Sequence, residues 1–397
     1  AYIEMLNTAK GVKSDSKLST EAATIAWQEY FQKYEINGSD SSDKTAAAKQ
    51  AREKLMQQAK YIDNYKGIIE DKRQTAILYA TAGTYKKNSF EYNNLLKTQY
   101  DLSQIIDADV QLSNGLWLEK LYKNNYIHLL TLITCVYTVY MFFSERKNGL
   151  YHIVHTGQSG RGVLFVKRSI ILLIQAVVTN VALYTESAVM LLNRYDGVKD
   201  LNVAAVSDEY FILTSGKLSR IQFLGLIILL SILANVVLSL VLWAILLCFG
   251  NVNIGLFFYC CICVADVVIY KVISAKSILQ IFKYLNVYYL FFPNKAAEYF
   301  NWGCFNIAVS LLTTTIIVSV FIGILALFAS AYISIRKYFT GKMNIVENAI
   351  ELILTYIMRL MVKTNNFGKE VYKILISQGI IWILLLLAYI AANVEPS

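Results

Sequence analysis

The first 120 residues are polar and place apolar side chains at helical spacing, whereas from about Tyr126 onward long apolar runs alternate with short charged segments. Six of those runs, 126–143, 169–192, 223–249, 254–270, 303–335 and 374–394, approach or exceed the roughly 17–25 residues that a helix needs to cross a bilayer. His128 interrupts the first and Asp266 the fourth, while the third and fifth carry no charge. Segment 303–335 is long enough to tilt or to continue past the membrane. In the polar region Ala23, Trp27, Tyr30, Phe31 and Tyr34 recur at helical spacing, as do Leu55, Ala59 and Ile62. The stretch Asn37-Gly38-Ser39-Asp40-Ser41-Ser42-Asp43 between them supplies turn residues and then an N-cap. The pattern predicts an all-α protein: a polytopic membrane helical bundle, 121–397, preceded by a small helical domain, 1–120, whose aromatic stripes form its core.

Composition agrees with the pattern. Apolar residues make up 56% of the chain and charged ones only 16%, with a mean hydropathy of +0.44. Soluble domains carry about 25% charged residues, so an ordinary cytosolic enzyme is excluded, and so is a disordered chain. Cys135, Cys248, Cys260, Cys261, Cys263 and Cys304 all lie in or beside apolar runs, where no disulfide framework is needed.

The net charge of +9 is unevenly placed. Residues 1–120 hold 16 basic and 16 acidic side chains, so the excess belongs to the loops between apolar runs. There it reads as an orientation signal and not as a footprint for nucleic acid. With residues 1–120 outside the cell, the inner segments 144–168, 250–253 and 336–373 carry twelve Lys and Arg, against eight in the outer loops 193–222 and 271–302. That balance favours an extracytoplasmic N-terminal domain. Such a domain needs a signal or a preceding span to leave the cell, and none precedes it here. Residues 368–394 resemble the amphipathic entry into a first span. The expectation is a piece of a longer permease with tandem halves.

The most specific stretch follows the first apolar run and reads Ser144-Glu145-Arg146-Lys147-Asn148-Gly149-Leu150-Tyr151-His152-Ile153-Val154-His155-Thr156-Gly157-Gln158-Ser159-Gly160-Arg161-Gly162, ending at Lys167-Arg168. Its glycines permit tight reversals, and Leu150–Val154 is a short apolar piece able to occupy a groove on a partner. An ordinary positive-inside loop accounts for the same residues. The stretch also resembles the permease subunits of bacterial type 2 ABC exporters, in which an acidic residue, a Gly, a short helix, a Thr, a Gly-Arg pair and a Lys follow one another between two spans. The matching positions here are Glu145, Gly149, Thr156, Gly160, Arg161 and Lys167. The resemblance extends loosely to the order of features along the whole chain. It implies that this segment couples to a separate ATP-binding subunit, and that short outer helices precede the last span of the half and cap the exit path.

Other chemistries fail on their residues. The run 157–162 lacks the Gly-Lys-Ser/Thr ending of a phosphate loop, so the chain is not expected to be an enzyme; ATP and Mg²⁺ would be bound by partner subunits. His152 and His155 have no carboxylate or Cys close by, so no metal is expected. Cys260, Cys261 and Cys263 read as small apolar groups within a span. Asp266 is expensive inside an apolar run unless paired or near an interface. It reads either as a substrate or proton contact or as an end-of-span residue paired with Lys271, and Glu186 is treated alike. Residues 284–302 pack eight aromatic side chains around Pro293-Asn294, which suits a membrane interface.

The expectation is therefore a plasma-membrane permease without cofactors of its own, embedded in the lipid bilayer and paired with a second permease half and an ATP-binding subunit. A membrane sensor or assembly protein with a ligand-binding outer domain is the alternative, and an ion-coupled transporter centred on Asp266 is a third. Nothing in the residues specifies the substrate.

Overall fold

The protein's structure, a computed structural model, describes residues 1–12, 18–33, 43–144, 158–336 except 215, 275, 276, 278 and 305, and the isolated positions 348, 349, 352 and 356. The chain divides into two compact units, each assembled from segments distant in sequence.

The first unit takes in residues 1–123, 185–227 and 297–312, and so is wider than the segment 1–120 that polarity alone marks out. Its frame is α1 (Tyr2–Val12), α2 (Ser19–Lys33), α3 (Asp43–Thr81), α4 (Phe90–Ile105) and α5 (Leu116–Tyr122). The apolar spacing predicts these helices well, and Ala23, Leu55, Ala59 and Ile62 are buried as expected. On α2, however, the face in the core is Ala22, Ala23 and Ala26, which lets the backbone approach α1 and α3 closely. The aromatic residues sit at the margin: Trp27 and Tyr30 are half-buried, and the Trp27 and Phe31 rings meet at 5.6 Å with Arg52 over the Trp27 face. Tyr34 and residues 37–42 lie outside the described residues.

The start of α2 is capped from outside. The Asp63 carboxylate on α3 accepts hydrogen bonds from Ser19 N at 2.7 Å, Thr20 N at 3.0 Å and Thr20 Oγ1 at 2.9 Å. A carboxylate there satisfies amides that have no partner within the helix and complements its dipole. Burial opposes the charge, but these bonds outweigh it and hold the Asp63 carboxyl below the usual range.

Segment 297–312 adds a hairpin, β1 (Asn301–Cys304) paired antiparallel with β2 (Ile307–Ser310). Asn306 turns it with a φ of 68°, a left-handed conformation that Asn tolerates better than most residues. The expected span 303–335 is corrected by this hairpin: its first eight residues are strand and turn, and the helix begins only at Leu311. Absence of charge does not distinguish an apolar hairpin from a helix, which is why the run looked too long.

The second unit takes in 124–184, 228–296 and 313–397. Its helical content comes from α6 (Tyr126–Met141), α7 (Gln158–Tyr195), α8 (Arg220–Cys248), α9 (Val252–Val272) and α13 (Leu311–Arg336), together with three short helices, α10 (Gln280–Tyr284), α11 (Tyr288–Phe291) and α12 (Pro293–Ala296). Helices α7, α8, α9 and α13 are long and apolar enough to cross a membrane, so the chain is a membrane-embedded helical protein. At 1.5 Å per residue α6 is only about 24 Å long, whereas α7 extends about 57 Å, far past the roughly 30 Å of a hydrocarbon core. Helix α7 therefore begins well before, and ends after, the expected run 169–192. Ile170, Ile174 and Val178 on α7, and Phe321 and Phe328 on α13, are exposed, as lipid-facing side chains must be. The expected run 374–394 lies outside the described residues.

Candidate functional site

Of the residues singled out for coupling, Glu145, Gly149 and Thr156 lie outside the described residues, as do His152 and His155. Gly160, Arg161 and Lys167 fall in the first three turns of α7. The reversals expected at glycines 160 and 162 are not there: the helix runs straight through both. Each glycine costs a helix interior about 1 kcal/mol relative to Ala, a penalty that the long apolar run from Ile170 onward absorbs. Lys167 is exposed, and Arg161 is half-buried with no acceptor for its Nε among the described residues.

The residue that sequence reading passed over is the neighbour of Lys167. Arg168 is buried, at 8% exposure. Its guanidinium donates to the Phe142 carbonyl at 3.0 Å and lies 5.4 Å from the Phe142 ring centre. Phe142 is the residue at which α6 ends, and the carbonyls of a last turn have no partner within their own helix. A cation directed at them is favoured by the helix dipole. Trp243 of α8, fully buried, meets Phe142 edge-on at 5.8 Å and stacks on Phe165 at 5.2 Å. Phe165 and Arg168 stand at i and i+3, on one face of α7. That spacing was the available signal, and the match of Lys167 to the pattern hid it.

Asp266 does not pair with Lys271. Its Oδ1 accepts from the Val287 amide at 3.3 Å, just before α11, and its Oδ2 is buried without a donor among the described residues. Asp266 therefore ties the short helices to α9. Around it the Tyr270 and Tyr288 rings stack at 3.7 Å, and Tyr289 donates to the Tyr270 hydroxyl at 3.3 Å. Three short helices precede α13 along the chain, and Tyr284, Tyr288, Tyr289, Phe291 and Phe292 are buried in protein instead of lying at a surface. Glu186, on α7, is exposed and has no ion-pair partner among the described residues.

A second feature that the sequence pattern did not single out is the polar row of α8. Ser231, Asn235 and Ser239 recur every four residues and are all buried. The Ser231 and Tyr184 hydroxyls share a hydrogen bond of 2.9 Å, and Ser239 Oγ donates to Cys135 Sγ at 3.0 Å and to Asn235 Oδ1 at 3.3 Å. Asn235 Nδ2 has no acceptor and lines a small cavity with His128 and Thr131. The cavity holds about 10 Å³, roughly one water molecule. It has room for nothing larger than that.

In the first unit the polar chemistry is structural. Arg220, with no exposed surface, donates to Asp208 Oδ2 from Nε at 3.1 Å and Nη2 at 2.9 Å, and to Ser113 Oγ at 2.7 Å. Burial pushes the Asp208 carboxyl up, to about 6, against the pull of Arg220. Asp200 accepts from Lys10 Nζ at 2.6 Å and from the Asn114 amide at 2.7 Å. These pairs bind residues 1–123 to 198–220. No family model matches this chain, and neither a curated protein nor a solved structure matches it.

Proposed function

We propose that the chain is the membrane-spanning permease component of an ATP-driven ABC exporter in a bacterial plasma membrane, with ATP and Mg²⁺ held by separate partner subunits and a second permease half completing the path. The observation that carries this reading is the order Glu145, Gly149, Thr156, Gly160-Arg161, Lys167 between two apolar helices. Connectivity supports it. Segments 1–123, 185–227 and 297–312 gather into one unit, and segments that meet in one unit share one face of a membrane. In this reading the chain crosses twice between successive segments, by α8 and α9, which are long enough to span, and by α7 with the shorter apolar helix α6. Residues 145–157 join α6 to α7 in the sequence, and in this reading the loop charges put them on the cytoplasmic side.

In this reading, closure of the ATP-binding subunits presses on 145–161 and tilts the helices that flank it. The engagement of Asp266 with a backbone amide speaks against an ion-coupled mechanism centred there. Co-expression with an ATP-binding subunit encoded beside this chain tests the proposal. A stable complex in detergent, lost when Glu145→Lys and Gly149→Pro are combined, is the expected result. Failure of the unaltered chain to retain such a subunit would remove the reading.

A further inference from the structure

We propose that the first unit binds a phospholipid whose head carries both a phosphate and an ammonium group, in a cleft beside the starts of α8 and α13. This goes beyond the permease reading and does not depend on it. The cleft holds about 490 Å³ and is lined only by residues of the first unit, a size within the range of about 300–1,000 Å³ usual for small-molecule sites. Its apolar lining comes from Leu102 and Ile105 of α4, from Leu213 and Leu218, from Leu226 of α8 and from Leu312 of α13. The four last named are only half-buried, so apolar surface is left open to the cleft.

Two of these leucines set its depth in a bilayer. At 1.5 Å per residue α8 is about 44 Å long and α13 about 39 Å, against the roughly 30 Å of a hydrocarbon core. Leu226 lies in the second turn of α8, and Leu312 is the second residue of α13. With each helix centred in the membrane, both leucines fall within about 3 Å of the boundary between head groups and hydrocarbon. A lipid chain reaches that boundary without crossing water, so apolar lining at this depth selects a lipid over a soluble molecule.

The charges select the head. On the rim, Asp101 is already compensated, because its Oδ2 accepts from Lys97 Nζ at 2.7 Å and from the Tyr299 hydroxyl at 2.9 Å. Glu298 and Lys217 are exposed there, and the Lys217 ammonium makes no ion pair or hydrogen bond among the described residues. Lys217 also lines a second cleft of the first unit, of about 550 Å³, whose other charged residues are Asp107, Asp109 and Lys199, all exposed. A purely anionic head would meet the three carboxylates Asp107, Asp109 and Glu298 and gain little. A head with its phosphate beside Lys217 and its ammonium toward Asp107 and Asp109 complements both signs.

The full chain, purified in detergent, is titrated against a phosphatidylethanolamine with a fluorophore on its acyl chain, and binding is read by anisotropy. Unlabelled phosphatidylethanolamine should displace the probe, and phosphatidylglycerol should need about ten times the concentration. Inorganic phosphate and glycerophosphoethanolamine, which has the same head without chains, should not displace it. Lys217→Glu should weaken binding about tenfold, and Asp107→Asn with Asp109→Asn should abolish the preference over phosphatidylglycerol. These side chains are exposed, so the changes leave the fold in place. Lys72→Glu, an exposed change on α3 outside both clefts, should alter nothing. Equal displacement by the two lipids, displacement by glycerophosphoethanolamine, or unaltered affinity in the Lys217→Glu chain would overturn the inference. No partner subunit enters the measurement, so that result would leave the permease reading intact.

Discussion

Gly115 and Asp208 stand so close that a Cβ on residue 115 would lie 1.7 Å from the Asp208 Oδ2 atom. That oxygen is the one that accepts both bonds from Arg220. The glycine is therefore required by the ion pair and not by its backbone, which is in the ordinary right-handed region at φ −95°. Gly115→Ala should displace the carboxylate and strand the Arg220 cation, at a cost of about 3–5 kcal/mol. Thermal denaturation in detergent checks this. The double variant Gly115→Ala with Asp208→Ala should cost less than the sum of the two single changes, because removing the carboxylate makes room for the methyl group.

The Asp63 cap makes the helical unit acid-sensitive. Its carboxyl is held below the ordinary value in the folded chain, so its contribution is fully present above about pH 4 and fades as pH falls through the lower, folded value. Asp63→Asn should lower the melting temperature at pH 7 and flatten its dependence on pH below 4. An unaltered slope below pH 4 in that variant would show that Asp63 is not the group responsible.

Shared sidedness of the three segments of the first unit is directly measurable. In a cysteine-free background, Tyr85→Cys, Val198→Cys and Ile307→Cys place thiols at exposed positions of segments 1–123, 185–227 and 297–312. A membrane-impermeant maleimide added to intact cells should label all three. Leu150→Cys should be labelled only after permeabilisation. Labelling of one of the three without the others would break the assignment of a common face.

Asp266 is expected to act as an acceptor for Val287 and not as a titrating relay. Asp266→Asn keeps the Oδ1 acceptor and should leave the melting temperature unchanged, together with any ATP hydrolysis measured in the proposed complex. Asp266→Leu removes the acceptor and should destabilise the protein by about 1–3 kcal/mol, since the amide is left unpaired. Loss of hydrolysis in the Asn variant at unchanged stability would give the carboxylate a functional role.

Much of the fold was legible one residue at a time. Long apolar runs without charge have no stable place outside a membrane, so α7, α8 and α9 are written in the sequence to within a few residues except where α7 overruns its apolar run at both ends. The helices of the first unit followed from the 3.6-residue spacing of Leu55, Ala59 and Ile62. Tertiary structure alone decided three matters, each because it joins residues distant in sequence. Residues 198–220 belong to the same unit as the N-terminal helices because Arg220, Asp208, Asp200 and Lys10 can leave water only by pairing with one another. The run from Gly303 splits into a hairpin and a helix because its first residues find strand partners across Asn306. Arg168, and not Lys167, is the buried cation because only its position in the helical turn faces the open carbonyls at the end of α6.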